Sequence, residues 1–495
     1  MHLAKLIHSL EVIESRGEMN LDIGGISYHS HSVKEGDLFV AIKGAKTDGH
    51  FFIKEAVKRG AKAIIVEQIP PHPLDITMVL VANTKKALAQ ISAEFFSHPS
   101  KEIKLVGITG TNGKTTTSYM IESILKKAGK EVGVMGTINY RFRGNELPAP
   151  TTTPQSYDLQ RLLREMATNG AEYVVMEVSS HALDQERVRD CHFDAGVFTN
   201  LSPEHLDYHK NMDSYFAAKK RFFDEILCET DKDPWAILNL DDPFLRDLKK
   251  KPSALRVMSY GLKEGEVRLL RKEVSLKGIK ATLFTPTGPI EIKTPLLGEY
   301  NLYNIMAATA TAICLGTSPE AIQEGIAGLA RIPGRMEVVG DGRPWVLVDY
   351  AHTPDALEKA LKGVKKLIKG RLFVVFGCGG DRDRGKRPLM GRISMQWADM
   401  AIITSDNPRT EDPLEIINEI EKGAREISHH RYLVIPDRSK AISKAISMAG
   451  PQDLVLIAGK GHENYQIVGD KKLPFDDRKV AQRALKERRH EPAGE

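Results

Sequence analysis

The sequence predicts an α/β protein of three domains with a mostly parallel sheet at its centre, and three observations lead there. A chain of 495 residues is long for one hydrophobic core, and at roughly 150 residues per domain it divides into about three. Apolar runs of strand length alternate with stretches of helical spacing, and each run finishes in polar residues, the pattern of parallel sheets. One such run is followed by a glycine-rich segment that opens into a helical pattern.

Taken in order, residues 1–100 hold the short strands "GDLFVAIKG" and "AKAIIVE" and a helix-like "TKKALAQISAEFF" that ends at "SHPS". They form a small α/β domain. Residues 101–331 supply "KLVGITG", "EVGVMGTIN", "EYVVMEVSS", "AGVFTNLSPEH" and "WAILNLDD", a strand set for the central sheet. After "LARIPGRMEVV" the third domain, 332–495, runs through "PWVLVDYAHTPD", "LFVVFGCGGDRDRGKRP", "MAIITSDNPRTEDP" and "DLVLIAGKGHENY". This last set reads as a Rossmann-like sheet. Doubly wound sheets bind ligands at the carboxyl ends of their strands, so the polar clusters are expected to meet in one crevice.

The glycine-rich segment is "GITGTNGKTTTS", residues 107–118. Gly107, Gly110 and Gly113 leave room for backbone N–H groups around a polyphosphate, and Lys114 adds a point charge. Strand, loop and helix give the setting of a P-loop, so the central sheet is read as P-loop ATPase-like. Ile108 stands where the strict Walker pattern has its first glycine. The loop residues Gly110, Thr111, Asn112, Gly113, Lys114, Thr115 and Thr116 are the candidates for holding ATP, with Mg²⁺ on the Thr115 hydroxyl.

Composition bounds the remaining choices. Hydrophobic residues at 41% and charged residues at 27% provide apolar surface for several cores and make no case for long disorder. A net charge of +5 demands neither nucleic acid nor an anionic membrane, while suiting substrates that carry phosphates and carboxylates. The four cysteines are scattered without CxxC spacing, which points to a reducing compartment. No apolar run approaches about 18 residues, and "MHLAKLIHSLEVIES" has acidic residues directly after its short apolar stretch. A cytoplasmic, monomeric enzyme without membrane insertion is expected.

The motifs "GTNGKTTT", "MEVSSHAL", "NLSPEHLDYH", "YFAAKKRFF", "NLYN", "IPGRME" and "DYAHTPD" occur in the order that resembles the Mur ligases. The resemblance implies an ATP-dependent, amide-forming enzyme of cell-wall peptidoglycan synthesis. The terminal carboxylate of a UDP-muramoyl peptide takes the phosphate, and an amine then displaces it from the acyl phosphate. It also implies roles for single residues. Glu177 is the first-metal candidate and His205 the second-metal ligand. The pair His205 and His209 has Leu206 where a zinc protease would have its glutamate, so a zinc site is not expected and His209 reads as structural. Lys219 matches a lysine carbamylated in the family. CO₂ reacts only with the neutral amine, so its pKa must fall below the usual ~10.4. The alternative from residue type alone is a surface lysine on an amphipathic helix.

By the same resemblance Ser30 belongs to the uridine side, although His29 and His31 replace the usual acidic residue and arginine. Thr152, Thr153, Ser179, Gln185 and Arg187 match holders of the muramoyl peptide, UDP-N-acetylmuramoyl-L-alanyl-D-glutamate. Asn301 and Asn304 match adenine-side contacts, Arg335 a phosphate ligand from the next domain, and Asp349 a ribose or metal-side acid.

The amino-acid selector is read in "SDNPRTEDP". Members that add meso-diaminopimelate resemble this chain in carrying Asp-Asn-Pro-Arg. Arg409 can grip the distal carboxylate of diaminopimelate with two parallel hydrogen bonds, and lysine offers no such group. Pro408 restricts the backbone before it, and Asp406 and Asn407 can bond the loop or the distal ammonium. Arg382, Gly459 and Glu463 match the rest of that pocket. Folylpolyglutamate-type and D-alanyl-D-alanine-adding ligases are the neighbouring alternatives, and a nucleotide-driven switch is the alternative from another class. Closure of the C-terminal domain onto the other two is expected to bring the amine within reach and exclude water.

Overall fold

A computed structural model describes residues 1–44, 47–72, 74–249 and 255–490, with the side chains of 489 and 490 left out. Among the described residues the strands form three main sheets. In the N-terminal part, Ile26–Ser27, Leu38–Val40, Ala63–Val66 and Thr77–Val81 run parallel, and Val12–Arg16 closes one edge antiparallel to Thr77–Val81. The helix Thr84–Phe95 lies where its apolar spacing predicts and is capped by Asn83, whose side chain accepts from the N–H groups of Lys85 and Lys86.

The P-loop strand Lys104–Thr109 is central in the second sheet, flanked in parallel by Tyr173–Glu177 and Ala195–Phe198. Glu177 lies opposite Ile108 and Val197 opposite Ile108 on the other side, which aligns their carboxyl ends around the glycine-rich loop. The parallel set continues through Trp235–Asn239 and Arg256–Gly261. Antiparallel hairpins, Asn139–Phe142 with Asn145–Pro148 and Val267–Ser275 with Gly278–Phe284, extend the sheet at its two ends. Those additions go beyond the parallel strands the sequence predicts. Apolar side chains cover both faces of the central strands, in clusters containing Val106 and Ile108 on one side and Leu105 and Met176 on the other.

Gly107 corrects a sequence expectation. It lies inside the strand, and a Cβ there would stand 2.5 Å from Phe222 and 2.7 Å from Phe193. Its small size serves packing against these rings and not the approach of phosphate. Gly110 and Gly113 do take left-handed backbone, at φ +132° and +91°, and their Cβ atoms would strike Thr199 and Asn304.

The third sheet is parallel in Trp345–Asp349, Leu454–Ala458, Leu372–Phe376, Met400–Ile403 and Tyr432–Val434, with Glu337–Val339 antiparallel at one edge. A separate hairpin, Tyr465–Val468 with Lys471–Pro474, follows the strand Leu454–Ala458. Cys191, Cys228, Cys314 and Cys378 are all free thiols. No helix of the described residues is long and apolar enough to cross a membrane.

Candidate active site

The helix Lys114–Lys127 begins directly at the P-loop lysine. Lys114 Nζ curls back to donate to the carbonyl oxygens of Gly110, at 2.8 Å, and Thr111, at 2.9 Å. Thr115 Oγ1 donates to Glu177 Oε2 at 3.1 Å. Glu177 is buried at the end of its strand, where it also accepts from the Thr137 N–H at 3.0 Å and the Thr137 hydroxyl at 2.8 Å. Gly136 makes this cradle possible, because a Cβ there would lie 2.4 Å from Glu177 Oε1. Hydroxyl and carboxylate oxygens converging in a fixed cradle suit a hard divalent cation, so the residues present fit Mg²⁺. Three or more His, Cys, Asp or Glu side chains arranged for a metal do not occur among the described residues.

Lys219 lies on the helix Met212–Arg221 and is buried, with 1% of its surface exposed. It is therefore not a surface lysine. Its Nζ donates to Gly110 O at 3.1 Å, the same oxygen that Lys114 engages, and stands 4.7 Å from the Tyr215 ring centre. Burial and the neighbouring Lys114 charge hold its ammonium well below the usual lysine range, with Glu204 opposing them. His205, in left-handed backbone at φ +57°, precedes the short helix Leu206–His209. Burial pushes its imidazole down to about 4 despite Glu204 beside it, which leaves its ring neutral near pH 7. His209 turns to Ser180 Oγ at 3.0 Å, in keeping with a structural role, and His181 packs between the rings of His205 and Tyr208.

Of the sequence-predicted substrate residues, Thr152, Thr153, Ser179, Gln185 and Arg187 form one connected patch and Ser30 stands apart from it. Thr153 Oγ1 donates to Glu177 O at 2.8 Å and accepts from Ser179 N at 3.0 Å. Thr152 meets Thr137 at 3.1 Å. Arg187 donates to Thr153 O at 3.0 Å and to Gln185 Oε1 at 2.7 Å. Ser30 is further along the chain's first part, with its hydroxyl donated to Glu55 at 2.8 Å and His29 and His31 stacked beside it.

The nucleotide-side residues divide. Arg335 reaches from the C-terminal part to donate to Thr115 Oγ1 at 3.1 Å and covers the Tyr350 ring. Asp349 is buried and accepts from Met336 N at 2.7 Å and Ala351 N at 2.9 Å, so its carboxylate organises the turn that presents Arg335. Asn301 and Asn304 are bonded to one another at 2.8 Å, and Asn301 also donates to Leu297 O at 2.6 Å, a turn contact. The other loop residues bond outward or bury themselves: Thr111 bonds Ser202 O at 3.1 Å and Tyr215 OH at 3.2 Å, Asn112 donates to Asp355 Oδ2 at 3.0 Å, and Thr116 is buried in the first turn of the helix.

In the selector region Asn407 donates to Glu463 Oε2 at 2.9 Å, and its Oδ1 accepts from Lys460 Nζ and from Ile467 N, each at 2.9 Å. Arg409 has φ +53° and donates to Gly380 O at 2.7 Å. The residue between, Pro408, has its carbonyl against Gly380. Arg382 is exposed and bonds Asp381 O at 3.0 Å, on the same loop that Arg409 touches. Gly459 needs its positive φ of +112°, and a Cβ would stand 2.7 Å from Asp406 Oδ2.

Several participants were missed by sequence reasoning. Asp355 Oδ2 accepts from Asn112 Nδ2 and Ser202 Oγ, both at 3.0 Å, and Glu204 lies 3.6 Å from His352. Lys460, wholly buried between Asn407 and Glu463, stands within the quoted "AGKGHE" and its adjacency to two named residues was the available signal. Bonds between distant parts of the chain leave no such signal.

A P-loop with an oxygen-lined cradle at Thr115 and Glu177, bonded through Arg335 to a domain whose strand ends carry polar clusters, fits an ATP-dependent ligase. Family models match in the same order: the Mur ligase family catalytic domain over residues 22–96, the Mur ligase middle domain over 108–312, and the Mur ligase glutamate ligase domain over 334–461. The chain belongs to the Mur ligase family. It is 47% identical over 505 aligned residues to a UDP-N-acetylmuramoyl-L-alanyl-D-glutamate–2,6-diaminopimelate ligase of Geobacter metallireducens, covering 98% of this chain and 99% of the relative. A ligase of the same name from Geobacillus thermodenitrificans is 45% identical over 95% of this chain and 96% of its own. Among solved structures, one of a ligase with that name superimposes with a TM-score of 0.70 at 32% identity, covering 99% of each chain. A MurF structure from Acinetobacter baumannii, at 22% identity and a TM-score of 0.66 over 92% of this chain and 95% of its own, shares the fold.

Proposed function

We propose that the protein adds meso-diaminopimelate to UDP-N-acetylmuramoyl-L-alanyl-D-glutamate, with ATP converted to ADP and phosphate, as a step in making peptidoglycan precursors in the cytoplasm. The observation that carries the reading is the bond from Arg335 to Thr115, which joins the P-loop to the body holding the Asp406–Arg409 loop. Residues 1–100 hold the UDP end, 101–331 the nucleotide and the muramoyl dipeptide, and 332–495 the amino acid.

A carboxylate becomes electrophilic only after one oxygen is turned into a leaving group. The D-glutamyl carboxylate attacks the γ-phosphorus, ADP departs, and an acyl phosphate forms. The amine of diaminopimelate then attacks the carbonyl carbon, phosphate leaves, and the amine gives up a proton. Lys114, Arg335 and Arg187 offset the repulsion between the two anions; Thr115 and Glu177 would hold a first Mg²⁺, and His205 with carbamylated Lys219 a second, and these ions would supply further positive charge for phosphoryl transfer. Ser30, Thr152, Thr153, Ser179 and Gln185 orient the UDP-substrate. Asn301, Asn304 and Asp349 frame the nucleotide pocket.

Lys219 is carbamylated in this reading. Its neutral amine would bond to the carbon of CO₂ and lose a proton, leaving an anion whose two oxygens suit Mg²⁺. Two ammonium groups on one carbonyl oxygen repel each other; a carbamate beside Lys114 attracts it. Arg409, with Arg382, grips the distal carboxylate of diaminopimelate, while Asp406, Asn407, Pro408, Gly459 and Glu463 shape the pocket around its ammonium.

The test offers purified enzyme ATP and the UDP-muramoyl dipeptide with either meso-diaminopimelate or L-lysine, and identifies the product by mass. The diaminopimelate adduct is expected as the main product. A lysine adduct formed at equal or greater rate would contradict the assignment.

A further inference from the structure

Arg438 is among the largest fully buried side chains of the C-terminal part and has no assigned task in the chemistry. Its side chain and that of Asp477 are both 0% exposed. The two form a fork-to-fork pair, with Nε 2.8 Å from Asp477 Oδ1 and Nη2 2.7 Å from Oδ2. The remaining donors point at the selector region: Nη2 gives a bond of 2.9 Å to Ala458 O, just before Gly459, and Nη1 approaches Ser405 O at 3.5 Å and Asp406 Oδ2 at 3.9 Å. One guanidinium therefore ties the first residues of the Asp-Asn-Pro-Arg loop to the end of the strand Leu454–Ala458 and to the start of the helix Asp477–His490.

A second tether acts from the opposite side. Gln466 Nε2 donates to Asp406 O at 2.6 Å, and the Arg409 N–H donates to Ile467 O at 3.1 Å. Arg409 itself has the left-handed φ of +53°, an uncommon state for a residue with a side chain, so the direction in which its guanidinium leaves the loop depends on how the backbone from 405 to 409 is held. Buried ion pairs contribute little net stability compared with apolar residues of similar volume, and in some proteins their role is to fix register.

We propose that Arg438, seated on Asp477, is a positioning residue for amino-acid selection: it holds Ser405 and Asp406 so that Arg409 presents its fork to the distal carboxylate of the incoming diamino acid. The proposal rests on the reading of Asp406–Arg409 as the diaminopimelate loop, and the variants separate the two.

The double variant Arg438→Met/Asp477→Leu removes both charges together, which avoids an unpaired buried ion and keeps the thermal midpoint near that of wild type. Gln466→Leu removes the second tether from a half-buried hairpin. Arg409→Ala tests the loop itself. Steady-state KM is measured for meso-diaminopimelate and separately for ATP. Charge-assisted bonds correspond to roughly ten- to a hundredfold, so Arg409→Ala raises KM for diaminopimelate by that order. The double variant raises it by about tenfold or more with KM for ATP unchanged, and Gln466→Leu raises it in the same direction by less. A purely structural role predicts that KM for diaminopimelate returns to the wild-type value once stability does. That result, with Arg409→Ala still impaired, overturns the proposal while leaving the pocket reading in place. An unaffected Arg409→Ala overturns the pocket reading and the anchor with it. If the double variant does not fold, a wild-type KM in Gln466→Leu overturns the proposal.

Discussion

Gly110 O accepts from Lys219 Nζ at 3.1 Å and Lys114 Nζ at 2.8 Å, so two lysine side chains share one carbonyl oxygen. Coulomb repulsion between two like charges grows as the local dielectric falls, so a fully buried second ammonium is disfavoured there. The proposed carbamylation, in which Lys219 loses its proton and gains a carboxylate, would convert the repulsion into attraction. Lys219→Ala is expected to lower turnover by about a hundredfold or more, the size of effect seen when one preorganised electrostatic group is removed. Lys219→Arg is expected to fail equally, because a guanidinium stays charged and forms no carbamate. Steady-state rates beside a far-ultraviolet spectrum check both; wild-type turnover in either variant would remove the lysine from the chemistry. The sequence motif pointed to Lys219 and its required pKa to burial or a nearby positive charge, but not to Lys114 as that charge, since Lys114 is far away along the chain and meets it only in the folded loop.

At the scale of elements, strand, loop and helix from Lys104 to Lys127 were readable because apolar run, glycines and helical spacing follow one another within a short stretch. Gly107 shows where such reading stops. Local pattern assigned it to the phosphate, whereas the rings of Phe193 and Phe222, contributed by later parts of the chain, occupy the space of its missing side chain. The edge hairpins of the central sheet were likewise silent, for their short alternations resemble ordinary loops until pairing partners are known. Gly107→Ala overpacks the junction between the P-loop strand and the helical segment at Phe222. A loss of about 1–3 kcal/mol is expected, read as a lower urea midpoint, with the intact fraction still binding ATP. An unchanged midpoint would show that the rings move aside freely.

At the scale of the whole molecule, hydrogen bonds and a histidine–carboxylate contact join the P-loop body to the C-terminal body. Arg335 reaches Thr115, Asp355 takes Asn112 and Ser202, and His352 approaches Glu204, so two stretches of the C-terminal part, at 335 and at 352–355, meet two loops of the central part, at 112–115 and at 202–204. The three-part α/β architecture followed from chain length and the alternation of elements. The identity of the contacts between the parts did not, apart from Arg335, because neither periodicity nor composition marks which polar side chains will meet. Glu204 and Asp355 sit within quoted motifs and still gave no sign of facing each other's bodies. A joint site of this kind couples nucleotide chemistry to the presence of both acceptors, since water must be kept from the acyl phosphate until the amine is in place.

Release of inorganic phosphate from ATP, followed with each of the other two substrates omitted in turn, tests that coupling most directly. Sustained release is predicted only when UDP-N-acetylmuramoyl-L-alanyl-D-glutamate and meso-diaminopimelate are both present. Release at the same rate from ATP alone would contradict a ligase and favour a nucleotide-driven switch.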